Sequence, residues 1–256
     1  MEDFYLKFSE IGKLIMEKLS SGENQPLIKN IVGIGADGTA THHMDKICED
    51  VIINYVQDTD LPFNIMSEEV GFLDRGYEET LLTDPLDGTF NAENRIPFYS
   101  VSMATLIDDF NSLSRGFIMD LANGDSFYAE KGKGSKFNNR TIMVSKVPVR
   151  GYISSLGSGD DTLRKKIMEL PGRHRYFGCA SLEMALLAKG SVDLVAYIGD
   201  GSYIRNVDVA AGVMIVREAG GIVSDEHGGE FNMGLDVTVR RNMIAARNRE
   251  ILGELI

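Results

Sequence analysis

Asp84-Pro85-Leu86-Asp87-Gly88-Thr89 sets two carboxylates, a rigid turn former, a bare glycine and a hydroxyl within one short stretch. Two acids that close repel one another unless a cation lies between them. Gly88 lets a ligand approach the backbone, and Thr89 adds a hydroxyl beside free N–H groups. This combination suits a magnesium ion and a phosphate held side by side. Asp-Pro and Asp-Gly pairs are also ordinary turn formers, so the stretch gains its meaning from the rest of the chain.

More acids lie where neighbouring elements end. Phe63-Asn64-Ile65-Met66 reads as a strand that runs into Ser67-Glu68-Glu69. Leu81-Leu82 reads as the end of a buried strand, and Pro85 interrupts any helix, so Asp84 and Asp87 are expected on a turn beyond it. A strand end is where α/β proteins place working residues. Arg205-Asn206-Val207-Asp208-Val209-Ala210-Ala211-Gly212 leads into apolar residues at helical spacing, which puts Asp208 at or near a helix N-terminus. Glu68, Asp84, Asp87 and Asp208 are hard oxygen donors without a histidine or cysteine set, a combination that favours Mg²⁺ or Mn²⁺ over zinc.

In order and spacing, Ser67-Glu68-Glu69, Asp84 to Asn91 and Val207 to Gly212 resemble the motifs of the inositol monophosphatase / fructose-1,6-bisphosphatase superfamily. The resemblance runs from the first helix to Asn242-Met243-Ile244-Ala245-Ala246-Arg247-Asn248, which is similar to the family's closing strand. The short chain and the loop Gly35-Ala36-Asp37-Gly38-Thr39-Ala40-Thr41 look most like the compact members that accept both inositol monophosphate and fructose 1,6-bisphosphate. The resemblance implies an α/β layered fold, an alternating α-β-α-β-α sandwich, and Mg²⁺-dependent hydrolysis of phosphate monoesters. It implies that Glu68, Asp84, Asp87, Asp208 and the Leu86 carbonyl hold the Mg²⁺ ions, two or three per chain, with Mn²⁺ as a substitute. Thr89, hydrogen-bonded to an acid, would orient the attacking water; Asp37 and Asp45 both remain candidates for that acid, or for ligating a further metal. Asp87, Gly88 and Thr89 would receive the phosphate. Ala180, within Gly178-Cys179-Ala180-Ser181, would face the substrate ring. Arg175 and Arg205 are candidates for holding a second phosphate. Relatives are usually homodimers, so a homodimer is expected.

The chain also departs from the family pattern. Relatives specialised for inositol monophosphate carry a glutamate where Gly201 stands beside Asp200, and often a tryptophan where Val207 stands. Both changes favour the dual-substrate type. Two alternatives remain: a 3′-phosphoadenosine 5′-phosphate phosphatase, which would stack its base on Tyr or Phe because the chain has no tryptophan, and a protein-binding regulator on the same fold.

The elements that must position these residues follow from periodicity. Phe4, Phe8, Ile11, Ile15 and Leu19 predict a first amphipathic helix ended by Ser20-Ser21-Gly22. A second helix is predicted from Asp45 to Tyr55 with Ile47, Val51, Ile52 and Tyr55 inward. Strands are predicted at 80–84, 99–107, 114–120, 127–130 and 141–144. Beyond them come a strand at 152–155, helices at 161–169 and 180–189, a strand at 192–197, the Asp208 helix, strands at 221–224 and 243–246, and a terminal helix from Arg249. The division expected is an N-terminal half, 1–145, with most metal ligands, and a C-terminal half, 146–256, with Asp208 and the substrate contacts.

Composition excludes more than it assigns. A formal charge of −12, from 38 acids against 26 bases, argues against a nucleic-acid-binding surface. No apolar run approaches a membrane span, and the acidic start Met1-Glu2-Asp3-Phe4 is unlike a signal peptide. Cys48 and Cys179 form no C-x-x-C pair and read as buried small residues in a reducing cytoplasm. Gly33 to Gly38 satisfies G-x-G-x-x-G after a short strand at Asn30–Val32, but the surroundings read helix-loop-helix rather than the βαβ unit a dinucleotide site needs. His42, His43, His174 and His227 show no ligand spacing and read as solvated loop residues.

Overall fold

The computed structural model describes residues 2–21, 30–158, 161–200 and 203–256; Gly22 and Gly201 fall outside them. Helix α1 (Glu2–Ser20) buries Phe8, Ile11 and Ile15 completely. A hairpin of β1 (Ile31–Ile34) and β2 (Ala40–His42) leads into α2 (His43–Asp58). Then come β3 (Asn64–Ser67), β4 (Gly71–Leu73), β5 (Thr80–Asp87), the short α3 (Thr89–Glu93), β6 (Ser100–Leu106), β7 (Arg115–Asp120), β8 (Ser126–Glu130), β9 (Ser135–Phe137) and β10 (Arg140–Ile142). The chain continues through β11 (Gly151–Leu156), α4 (Asp161–Glu169), β12 (Arg173–Arg175), α5 (Ala180–Ala188), β13 (Leu194–Ile198) and β14 (Ile204–Arg205). It closes with α6 (Asn206–Glu218), β15 (Ile222–Ser224), β16 (Arg240–Arg241), β17 (Met243–Ala246) and α7 (Arg249–Leu255).

Two sheets separate three pairs of helices. The first sheet has eight strands in the order β10-β9-β8-β7-β6-β5-β3-β4, antiparallel except for β3 beside β5. The second has five, β12-β11-β13-β17-β15, with β11 parallel to both its neighbours. Residues of α1 and α2 pack with Ile65, Leu81, Val101 and Phe117 on the outer face of the first sheet. Helices α5 and α6 fill the space between the sheets, against Leu82, Ile118 and Phe127 on one side and Val195, Tyr197 and Ala245 on the other. Ile167 of α4 and Ile251 of α7 cover the second sheet's outer face at Leu194, Ala196 and Ile244. The result is the expected α-β-α-β-α order. Each fully buried aliphatic side chain contributes roughly 1.5–3 kcal/mol by leaving water. The central layer is tight: a Cβ on Gly212 would lie 2.6 Å from the Met184 Cβ, so α5 and α6 approach this closely only with glycine there. The central core cluster draws on both halves of the chain, from Met66 to Ala129 and from Ile153 to Ala245.

Several expectations are corrected. Asp84-Pro85-Leu86-Asp87 is not a turn beyond the strand; it is the last part of β5, which runs to Asp87 with a register shift against β6 between Asp84 and Asp87. A proline fits a strand at such a bulge, where ladder pairing is interrupted. Helix α2 is rotated from the expected stripe: Ile52 is buried as expected, but with Met44, Cys48 and Val56, while Val51 and Tyr55 pack half-buried at the core's margin and Ile47 is half-buried. The G-x-G-x-x-G stretch lies across an antiparallel hairpin, which cannot present a βαβ phosphate turn. Strands β2, β4, β9, β12, β14 and β16 and helix α3 had no predicted counterpart. Among the described residues, no helix is long and apolar enough to cross a membrane.

Candidate active site

Strands β3 and β5 run parallel with Ser67, the last residue of β3, opposite Thr83, so Glu68, just past β3, stands beside Asp84 in the last part of β5. Helix α6 brings Asp208 in from the other half of the chain, in its first turn. Oxygen atoms of Glu68, Asp84 and Asp208 all lie within 4.8 Å of one another, and all three residues are buried. The first turns of α2 and α5 also reach the site, through Asp45 and Ser181. The N-terminal ends of helices carry partial positive charge, which favours carboxylates and phosphate there.

Hydrogen bonds orient each acid. Asp84 Oδ1 accepts from the Leu86 N–H at 3.0 Å. Its Oδ2 is buried without a hydrogen-bond partner, with Arg205 Nη2 4.0 Å away. Asp87 turns one oxygen toward α5: Oδ2 accepts from the Ser181 N–H and hydroxyl, both at 2.6 Å, and from the Cys179 thiol at 3.3 Å. The Thr89 hydroxyl lies 2.8 Å from Asp45 Oδ1 and 3.1 Å from the Leu86 carbonyl. Gly88 stands between Asp87 and Thr89 with φ +87°, a left-handed conformation that glycine adopts without strain.

Arg205 sits inside this cluster. Its Nη1 donates to Asp37 Oδ2 at 2.7 Å and to Glu68, and its Nε and Nη2 reach Asp208 at 2.9 and 2.7 Å. Arg240, its neighbour across the β14–β16 pair, adds a contact to Asp37 at 3.3 Å. Asp37 therefore has one oxygen on arginines, while the other accepts from the Thr39 N–H and hydroxyl, both at 2.8 Å. Arg175 is exposed on the edge strand β12, its guanidinium donating to the His174 carbonyl at 2.7 Å. Ala180 is buried at the start of α5.

Charge explains the strain in the cluster. Burial pushes Glu68 up to about 8; Arg205 pulls it back, and Asp208, Asp45 and Glu69 push it further. Burial and the charges of Glu68 and Asp87 hold Asp84 well above the usual carboxylate range. Asp87 is raised by burial and by Asp208, against the donors on Ser181 and Cys179. Asp45 is raised by burial, against Thr89 and the His42 N–H. Asp37 is lowered, because the Thr39 donors and Arg205 outweigh its burial. Buried acids that disfavour their own charge, with one oxygen left unsatisfied, fit a divalent cation with hard oxygen preference.

A family description, inositol monophosphatase family, matches residues 4–256. The chain belongs to this family. Its members are metal-dependent phosphoric monoester hydrolases, and the acid cluster of this chain could hold a metal ion. A fructose-1,6-bisphosphatase/inositol-1-monophosphatase of Methanocaldococcus jannaschii is 33% identical over 252 residues, covering 96% of this chain and 97% of that protein. A bifunctional NADP phosphatase/NAD kinase of Methanococcus maripaludis is 36% identical over 245 residues, covering 84% of this chain and 42% of that longer protein. Among solved structures, an inositol monophosphatase–fructose 1,6-bisphosphatase superposes with a TM-score of 0.82 at 33% identity, covering 96% of each chain.

Several residues around this family's site had no sequence signal that singled them out. Ser181 and Cys179 lie in the quoted segment Gly178 to Ser181, but their contact with Asp87, more than ninety positions away, is one that no local motif announces. Glu183 is different, since a lone acid within the apolar helix Ala180–Ala188 is itself an anomaly that sequence inspection can find. The histidines also have partners: His42 Nδ1 lies 2.6 Å from Glu93, and His174 Nε2 lies 3.1 Å from the Leu170 carbonyl, so these two are half-buried rather than solvated. Cys48 and Cys179 are both free and buried.

Proposed function

We propose that this protein hydrolyses the phosphate of inositol 1-phosphate and fructose 1,6-bisphosphate with Mg²⁺ as cofactor. The observation that carries the proposal is the buried trio Glu68, Asp84 and Asp208, with its unpartnered Asp84 oxygen, beside the Thr89–Asp45 pair. Two or three Mg²⁺ ions, held by Glu68, Asp84, Asp87, Asp208 and the Leu86 carbonyl, supply when bound the Lewis-acid charge that makes water nucleophilic near neutral pH. Thr89 donates its proton to Asp45, which leaves its oxygen lone pairs free to accept from a water and aim it at phosphorus. Asp45, raised in pKa, is then the base for that water. The 2.8 Å contact supports Asp45 over Asp37 in this role, because both oxygens of Asp37 are already engaged. The N–H groups of Gly88 and Thr89 receive phosphate oxygens, and Ala180 lines the sugar or polyol side.

Arg175, exposed and with no acidic partner among the described residues, is the candidate for a second phosphate; Arg205 is engaged with the acids. Residues 1–145 then contribute most of the ligands, and 146–256 contribute Asp208 and the substrate side. The same proposal has the enzyme working in the cytoplasm as a homodimer.

The test is phosphate release from inositol 1-phosphate, fructose 1,6-bisphosphate, 3′-phosphoadenosine 5′-phosphate and NADP, with Mg²⁺ and with chelator. Chelator-sensitive release from the first two is expected. Release from the adenosine substrates alone would overturn the substrate assignment while keeping the metal site. In the same assay Asp45→Asn should lower kcat by about a hundredfold or more, within the range of a lost general base. An equally large loss in Asp37→Asn alone would move the base to the hairpin.

A further inference from the structure

Among the buried acids given no part in the proposed phosphatase machinery, one lies beside the site. Glu183 is completely buried and is the single charged residue of α5. A carboxylate is unfavourable in such a place unless its oxygens are satisfied. Here they are. Oε1 accepts from the Phe177 N–H at 2.8 Å and the Gly178 N–H at 3.0 Å, and Oε2 accepts from the Tyr197 hydroxyl.

The same peptide segment is held from its other side. Asn91, in α3 just beyond Gly88-Thr89, donates to the Phe177 carbonyl at 2.7 Å and to the Phe98 carbonyl at 2.8 Å. The Phe177 and Phe98 rings lie 4.9 Å apart. A Cβ on Gly88 would stand 3.2 Å from the Cys179 Cβ and 3.3 Å from the Gly178 carbonyl oxygen, so the segment rests directly on the proposed phosphate turn. It carries exposed Arg175 and Tyr176 before it and buried Ala180 after it. A shift of this segment therefore changes the substrate side of the site. Asp87 has its own hold on the first turn of α5, through Ser181.

We propose that Glu183 is a positioning residue: its carboxylate fixes Phe177-Gly178 against the Gly88-Thr89 turn and so sets the substrate-facing edge of the site. The kinetic consequence rests on the phosphatase activity proposed above; the structural one does not. A phosphorylated sugar held by that edge loses binding when the edge is loose, while the acids and the water-orienting pair stay in place.

Two variants test this. Glu183→Leu removes the acceptor, and Glu183→Gln keeps one acceptor oxygen with the same shape. Glu183→Leu should raise KM for fructose 1,6-bisphosphate by roughly tenfold or more, with kcat changed less than about threefold. Mg²⁺ affinity by titration calorimetry should be unchanged, and Glu183→Gln should recover most of KM. Limited trypsin digestion, followed by mass spectrometry, should cut faster after the exposed Arg175 in Glu183→Leu than in wild type. Wild-type KM together with wild-type cleavage in Glu183→Leu overturns the proposal, as does a Glu183→Gln variant no better than Glu183→Leu. If Glu183→Leu does not fold, Asn91→Ala releases the segment from its other side without exposing a buried charge. It should reproduce the KM increase and the faster cut, and wild-type values there overturn the proposal. If the wild-type protein hydrolyses none of the esters, the phosphatase assignment fails, and the cleavage comparison still decides the role of Glu183.

Discussion

Two of the places where this molecule buries carboxylates are built differently. At the ends of β3 and β5, Glu68, Asp84 and Asp208 crowd together and Asp84 Oδ2 has no hydrogen-bond partner. Inside α5, Glu183 has both oxygens taken by two N–H groups and a hydroxyl. Both acids titrate high: Glu68 near 8, and Glu183 pushed up to about 7 by burial despite Tyr197 and the Phe177 and Gly178 donors. The raised values therefore do not separate the two sites. Hydrogen-bond satisfaction does. An acid cluster with an unsatisfied oxygen suits a divalent cation, whereas a complete shell of donors holds backbone in place.

The comparison is sharpest at Asp84. Asp84→Asn should remove several kcal/mol of charge stabilisation in the reaction, which at 1.36 kcal/mol per decade is roughly a thousandfold in Mg²⁺-dependent turnover. The metal-free variant should melt above the metal-free wild type, because like charges no longer crowd. A lower melting temperature in chelator would mean that the acids are mutually stabilised without metal, and the contrast with Glu183 would collapse.

The pH dependence separates the sites next. An acid whose folded pKa lies above its unfolded value holds extra protons in the folded state, so stability falls as pH rises through that window. Glu68 and Glu183, raised from 4.5 to about 8 and about 7, place the window between about pH 4.5 and 8. Metal-free protein should lose several kcal/mol across it in denaturant titrations, at about 1.36 kcal/mol per pKa unit. Saturating Mg²⁺ should cancel the part due to the cluster and leave the part due to Glu183. Stability that rises with pH in chelator would contradict both assignments.

The smallest effect concerns Asp87. Ser181→Ala removes one donor from its Oδ2 and leaves the Ser181 N–H and the Cys179 thiol, so Mg²⁺ affinity should fall by roughly tenfold, the scale of a lost outer-shell partner. Unchanged affinity would show that the helix N–H alone orients the carboxylate.

Much of this was legible before any fold was known, and the reasons are local. The acids of 67–69, 84–89 and 207–212 announce themselves because each motif is contiguous and its residue types suit one chemistry. Apolar spacing placed most helices and strands, as with Phe8, Ile11 and Ile15 on α1. Local reasoning failed where a distant partner outweighed it. Pro85 argued for a turn, yet β6 continues the pairing to Asp87 and absorbs the proline in a bulge. Helix α2 offers two apolar stripes at helical spacing, and sequence gives no way to choose. The choice falls to Met44, Cys48, Ile52 and Val56 because the same rotation takes Asp45 to Thr89 and Glu49 to the Val70 N–H, 2.9 Å away.

By itself the sequence determined which chemistry this chain can perform, since the residue types and their spacing within each motif survive any arrangement of the rest. Only the tertiary structure decided which acid meets Thr89, where Arg205 places its charge, which donors orient Asp87 and what Glu183 holds. Those contacts join residues tens to more than a hundred positions apart. They form because helices and sheet ends are packed into one place, where buried polar groups must find partners in whatever segments the fold brings near.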